Sequence, residues 1–271
     1  MTVLPDWLPE DIDPTIPSSA RVYDYILGGF NNFEADRVLA DRIAANVPGA
    51  VEGARANRAF LRRAVTFLVA EAGITQFLDL GSGIPTAGNV HEVAQLLDPE
   101  VRVAYVDIDP VAVSMGKKAL ADNPHATAIR GDLLDVEKIL ADPEITGLID
   151  FTRPVAVLVL SVLHFVPDEA DPGAIIARIG QELIPGSFLA ISHFCSGGGP
   201  PGLTERAVNL SRQMPTASTP RSQAGIEGLF DGFDILDPGV VDVASWRPDE
   251  SRARTAVAAP VWLLGGVATN A

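Results

Sequence analysis

The chain has 271 residues, with 20 Lys and Arg against 35 Asp and Glu, a net charge of −15. That field repels phosphate backbones, so nucleic acid is not expected as a main partner. Hydrophobic residues make up 47% of the chain, enough to bury a sizeable core. The lone cysteine, Cys195, rules out an intramolecular disulfide and fits a reducing compartment. Residues 1–17 are acidic and proline-rich and lack the basic and apolar regions of a signal peptide. The longest apolar run, 155–166, is broken by Ser161 and His164 and is too short to span a bilayer. A cytoplasmic protein with no membrane partner is therefore expected.

In chain order, Pro5, Pro9, Pro14 and Pro17 make 1–17 an extended arm. Ser18 and Ser19 offer an N-cap, and Val22/Ile26 and Tyr23/Leu27 follow at helical spacing until Gly28-Gly29 ends the helix. Asn31 or Asn32 is placed to cap a second helix, with Glu34 and Asp36 in its first turn and Pro48 beyond its end. A third helix is expected over 51–72, its stripe formed by Phe60, Leu61, Ala64, Val65 and Leu68. Residues 1–73 thus read as an arm and a helical cap.

After Gly73 strands and helices alternate. Strands are expected at 76–80, 101–107, 126–130, 155–160 and 187–193, and helices at 89–97, 110–121, 136–140 and 172–183. Asp109-Pro110 and Asp171-Pro172 each read as an N-cap followed by proline at the first helical position. Helices are further expected at 204–214 and 223–230, and β-rich stretches at 233–244 and 256–267. This is the pattern of an α/β fold with a mostly parallel sheet covered on both faces. Residues 74–271 would form one Rossmann-like domain, continuous with the cap.

Ligands of such sheets bind beyond the carboxyl ends of the strands. There the first strand is followed by Asp79-Leu80-Gly81-Ser82-Gly83, whose glycines allow close backbone approach. Asp107 stands 24 residues after Gly83, where a carboxylate can accept from both ribose hydroxyls, and Ile108 follows it. After the third strand Asp132 is placed to accept from an adenine amino group, with Leu133 lining the base. Ser161 to Phe165 would form the floor between cofactor and acceptor. Any one of these signals is weak, but four at successive strand ends describe a nucleoside site. A nicotinamide reductase is the rival reading. Its fingerprint needs a third small residue where Thr86 stands, and Asp79 would repel a pyrophosphate while suiting the ammonium of S-adenosylmethionine (SAM).

The chain also resembles the actinobacterial SAM-dependent methyltransferase family long catalogued as a domain of unknown function. The resemblance rests on Ala20-Arg21-Val22-Tyr23-Asp24-Tyr25-Ile26-Leu27-Gly28-Gly29, Ala56-Asn57-Arg58-Ala59-Phe60-Leu61-Arg62-Arg63 and Gln76-Phe77-Leu78-Asp79. It extends through Gly83-Ile84-Pro85-Thr86, Tyr105-Val106-Asp107-Ile108-Asp109-Pro110, Leu163-His164-Phe165-Val166-Pro167 and Trp246-Arg247-Pro248. It implies a class I methyltransferase fold with a seven-stranded sheet and SAM as cofactor, and it names no acceptor. A small-molecule acceptor is the expectation, against a silent SAM-binding protein as the alternative.

Methyl transfer relies on positioning and needs a general base only where the nucleophile must lose a proton. His164 and His193, at the ends of the fourth and fifth strands, are the candidate bases, each weighed against a packing role. Arg58 is a candidate for the cofactor carboxylate, or else an anchor of the N-terminal segment. Tyr23 is expected to cover the cofactor from the cap. Arg221 is a weaker candidate for an acidic substrate, and no metal site is expected.

Overall fold

The computed structural model describes residues 12–86, 88–197, 201–248 and 263–270. Three helices open the chain: α1 (Ser19–Ile26), α2 (Glu34–Asn46) and α3 (Ala50–Ala70). Then come β1 (Gln76–Leu80), α4 (Val90–Gln95), β2 (Arg102–Asp107), α5 (Pro110–Ala119), β3 (Ala126–Arg130), α6 (Val136–Leu140), α7 (Pro143–Leu148) and β4 (Ala156–Leu160). The remainder is α8 (Pro172–Glu182), β5 (Phe188–Phe194), α9 (Leu203–Ser211), α10 (Gln223–Glu227), β6 (Asp234–Ile235), β7 (Val241–Asp242) and β8 (Leu263–Thr269).

The sheet runs β3-β2-β1-β4-β5-β8-β6, with β7 also on β8. β1 to β5 are parallel and β8 is antiparallel to β5. The order reverses between β1 and β4, which makes their carboxyl ends the switch point where ligands bind. Among the described residues the sheet has eight strands, where seven were expected. The stretch 233–244 is split by a turn at Asp237-Pro238 into β6 and β7, each only two residues long. The expected arm up to Asp11 and the start of the last β-rich stretch, 256–262, lie outside the described residues.

Strand side chains alternate between two apolar layers. Leu78, Leu80, Ala104, Val106, Val157 and Val159 face one, with α6 and α8. Phe77, Val103, Tyr105, Leu158 and Ala190 face the other, where the α3 stripe of Phe60, Leu61, Ala64, Val65 and Leu68 covers them. Thus α3, read as part of the cap, also forms a structural layer of the sheet. Its length lets one end reach the carboxyl edge while the other stays on the face.

The rest of the N-terminal segment lies across the carboxyl edge. Ile12, Ala20 and Phe33 pack against Ile84 of the glycine loop and Val111 and Ala112 of α5. Val22, Leu39 and Ala40 pack with Leu203 and Leu210 of α9 and with Phe194 at the end of β5. Arg21, buried, pairs with buried Asp36 at 3.0 Å and with Asp109 at 3.6 Å. Two capping expectations fail, at α1 to a distant partner and at α2 to a local one a residue further along. Ser18 makes no side-chain cap and donates to Asp109 instead. Asn32 donates to Asp24, and the amide of Phe33, the residue preceding α2, is held by Asp36 at 2.7 Å. Asp109 and Asp171 cap α5 and α8 as expected.

Candidate active site

The loop after β1 turns on Gly81 and Gly83, both with left-handed φ (72° and 69°). Gly81 has no room for a side chain, because a Cβ there would lie 2.4 Å from Val162 Cγ2. A Cβ on Gly83 would meet nothing within 4 Å, so the loop faces open space there. Asp107, at the end of β2, shapes the loop. Its Oδ2 accepts from Gly83 N–H at 2.6 Å and its Oδ1 from Asp109 N–H at 2.8 Å. The carboxylate offers about four lone-pair sites, and with the Ile108 amide also directed at it, capacity remains for a ligand hydroxyl. Burial lifts the Asp107 carboxyl from 3.8 to about 6, against the backbone hydrogen bonds that favour its charge. Ile108 beside it is solvent-exposed.

Asp79 is buried at the end of β1, and burial raises its carboxyl from 3.8 to about 7. The nearby Arg58 guanidinium opposes that rise, and Asp107 adds to it. Arg58 also donates to the carbonyl of Gly88 at 3.0 Å and to Asn89 Oδ1 at 3.2 Å, tying α3 to the glycine loop. One cleft is lined by Arg58, Asp79, Ser82, Gly83 and Asp107. Five of the sequence-derived positions are therefore together.

At the β3 end, Asp132 is exposed and its Oδ1 accepts from Leu134 N–H. Leu133 is buried, packed with Leu80 and Val136, and Leu134 is the residue that projects. A short 3-10 turn over Leu133–Asp135 swings the first leucine inward.

The histidines differ sharply. His193 is fully buried, with Nδ1 donating to Phe194 O at 2.8 Å and Nε2 accepting from Arg221 Nη1 at 2.7 Å. Burial and the Arg221 charge hold its pKa near 4, partly offset by the Phe194 bond. No ring lone pair is left to take an acceptor's proton. His164 is also buried, but its Nδ1 has no hydrogen-bond partner. Burial, with His193 and Arg221 nearby, pushes its pKa well below the usual range. The ring leans on Phe165 (4.4 Å) and stands edge-on to His193 (5.5 Å).

Arg221 is not free for an acidic substrate. It donates to Leu163 O, Val166 O, His193 Nε2 and, from two nitrogens, Asp168 Oδ1. It pins the segment carrying His164 to β5. Of the other arginines, Arg63 ties α3 to the carbonyls of Trp246 and Val243. Buried Cys195 has a raised pKa and no character of a nucleophile. Among the described residues no cluster of His, Cys, Asp and Glu has the makings of a metal site.

Tyr23, on α1, donates to Ala54 O at 3.0 Å and accepts from Asn57 Nδ2 at 3.2 Å. Asn57 in turn reaches Ser192, which neighbours Ser161. Asn57 and Ser192 were not singled out from the sequence, although Asn57 lies in the same string as Arg58.

A glycine cradle, a buried carboxylate, and a second buried carboxylate beside a guanidinium line one cleft, where a nucleotide pyrophosphate would meet two buried carboxylates.

Comparison with known proteins agrees. The profile described as S-adenosyl methyltransferase matches residues 5–271. A protein of Thermobifida fusca YX, provisionally assigned as a methyltransferase, has 39% identity over 98% of this chain and 99% of its own, with a TM-score of 0.90. A DUF574 family protein of Streptomyces avermitilis MA-4680 has 37% identity over 96% of this chain and 99% of its own, with a TM-score of 0.88. The N-methyltransferase NodS of Bradyrhizobium japonicum WM9, in complex with S-adenosyl-L-homocysteine (SAH), shares the fold at 13% identity, covering 92% of this chain and 98% of its own, with a TM-score of 0.50. No curated protein matches the chain. The chain belongs to the S-adenosyl methyltransferase family and is a SAM-dependent methyltransferase of the class I fold.

Proposed function

We propose that the enzyme methylates a small-molecule acceptor held between the N-terminal cap and the ends of β4 and β5. The observation that carries this reading is the roof. α1 and α2 are packed onto the glycine loop and α5 on one side and onto α9 and Phe194 on the other. A roofed edge suits a small acceptor and excludes water from the transfer. The net charge of −15 disfavours a polyanion.

In this reading Asp107 takes the ribose hydroxyls, with Gly81, Ser82 and Gly83 along the cofactor backbone. Ile108 and Leu134 flank the base, in place of the buried Leu133, and the free Oδ2 of Asp132 accepts from the adenine amino group. Asp79 balances the ammonium and Arg58 the carboxylate of the amino-acid tail. Tyr23 and Ser161 stand at the sulfonium end. Bound SAM supplies an electrophilic methyl group on a positively charged sulfur. This chain's part is to fix the acceptor in line with it, at the floor made by residues 161–165. His164 stays neutral and weakly basic there, packed against His193, so positioning rather than a general base carries the transfer.

Calorimetry with SAM, SAH and NADPH tests the cofactor assignment, which predicts binding of the first two only. Labelled methyl transfer is then assayed against small hydroxyl, amine and carbon nucleophiles, and against protein and RNA. Label on small molecules supports the proposal, and efficient labelling of RNA or folded protein overturns it.

A further inference from the structure

Ser161 is one of the described non-glycine residues with left-handed backbone, at φ 55°. Such a conformation is costly for a residue with a Cβ and persists where the surroundings impose it. Its amide is fixed by Ser192 O at 2.9 Å, and its Oγ lies 3.4 Å from Ser192 Oγ. Ser192 Oγ is 2.6 Å from Asn57 Oδ1, Asn57 Nδ2 is 3.2 Å from the Tyr23 hydroxyl, and that hydroxyl is 3.0 Å from Ala54 O. Asn57 and Ser192 are buried, and burial raises the Tyr23 pKa, so its proton stays in place.

The direction of every bond follows from one end. A carbonyl only accepts, so Tyr23 spends its single proton on Ala54. Its oxygen must then accept, which turns the Asn57 NH2 toward it and Asn57 Oδ1 toward Ser192. Ser192 spends its proton on that oxygen, so between the two serines Ser161 is the donor. In that long 3.4 Å contact the Ser161 proton is turned toward Ser192, which leaves the lone pairs of Ser161 for a ligand.

We propose that Tyr23, Asn57 and Ser192 form a directional relay that fixes the Ser161 hydroxyl as an acceptor toward the sulfonium end of the cofactor, coupling cap helix α1 to recognition of the transferable methyl group. The proposal rests on the cofactor placement above. A sulfonium spreads its positive charge onto the attached carbons, whose C–H groups donate to oxygen. SAH lacks both the charge and the methyl group, so the relay distinguishes the two ligands. Ser161 is the contacting group, and the other three are positioning residues.

The test is calorimetry of SAM and SAH with wild type, Ser161→Ala, Ser192→Ala and Tyr23→Phe, with folding checked by thermal scan. Alanine at residue 161 carries the same left-handed backbone cost, so that variant isolates the hydroxyl. Ser161→Ala should lower SAM affinity by about threefold to tenfold, the range of a charge-assisted contact, with SAH affinity unchanged. Ser192→Ala frees the Ser161 proton to turn outward, so SAM should weaken at least as much. Tyr23→Phe, which removes a single oxygen, gives the same direction and serves if Ser192→Ala does not fold. The methyl proton resonance of bound methyl-13C SAM should move upfield in all three. Equal losses for SAM and SAH, or an unchanged ratio, overturn the relay. A wild-type protein that binds neither ligand overturns the cofactor placement instead.

Discussion

Asp107→Ala separates a cofactor residue from a structural one, because Asp107 is wired into the loop on which the site depends. The substitution leaves Gly83 N–H and Asp109 N–H without their acceptor, about 1–3 kcal/mol each if they stay dry. It also removes a buried charge. A rise from 3.8 to about 6 is roughly two pKa units, about 3 kcal/mol of relief at neutral pH. The two effects offset each other, so the apo protein should fold with a melting temperature near that of wild type. SAM binding has no such compensation. Two hydrogen bonds from the ribose to a carboxylate are worth about 1.5–3 kcal/mol each, so affinity should fall about tenfold or more. Calorimetry reads the affinity and a thermal scan reads the fold. A folded variant that binds SAM as tightly as wild type would refute the placement of the nucleoside on β2.

The pH dependence follows from the two raised carboxyls: Asp79 and Asp107 hold protons in the apo protein that the unfolded chain has lost, so apo stability should fall as pH rises from about 4 to about 7. SAM needs both ionised, so its binding should tighten over the same rise with proton release, and Asp79→Asn should flatten the upper part while raising apo stability at pH 8. Arg221→Met leaves Leu163 O, Val166 O and His193 Nε2 without a donor; it should lower the melting temperature, with about 1–3 kcal/mol lost per buried group, and speed amide exchange across 163–168. Gly81→Ala drives a Cβ to 2.4 Å from Val162 at positive φ, and should cost about 1–3 kcal/mol by denaturant titration while weakening SAM binding.

The sequence discloses what is local. Period-two strands, Asp-Pro caps and glycine turns are set by neighbours in the chain, and β1, β3 and the caps of α5 and α8 fall where they were expected. Where partners are distant, the reading fails. The cap of α1 is lost to Asp109, ninety-one residues away, whereas the α2 cap held by Asp36 and the start of α7 at Asp142-Pro143 were local signals that went unread. Leu133 and Leu134 are indistinguishable by composition, and only the 3-10 turn decides which one is buried. Asp79, Gly83 and Asp107 were legible because the strand-end rule alone brings them together. Arg221 was not, since it gathers Leu163, Val166 and Asp168 from more than fifty residues away. The chain of hydroxyls and amide from Tyr23 to Ser161 joins α1, α3, β5 and the end of β4, and no sequence spacing reports it.

The most direct test of the account is a crystal structure of the protein with SAH bound. The account predicts the nucleoside at the ends of β1 to β3, both ribose hydroxyls within hydrogen-bonding distance of Asp107, the amino-acid tail between Asp79 and Arg58, and the sulfur beneath α1 beside Ser161. A nucleoside seated away from Asp107, or a sulfur left open to solvent with α1 uninvolved, would contradict it.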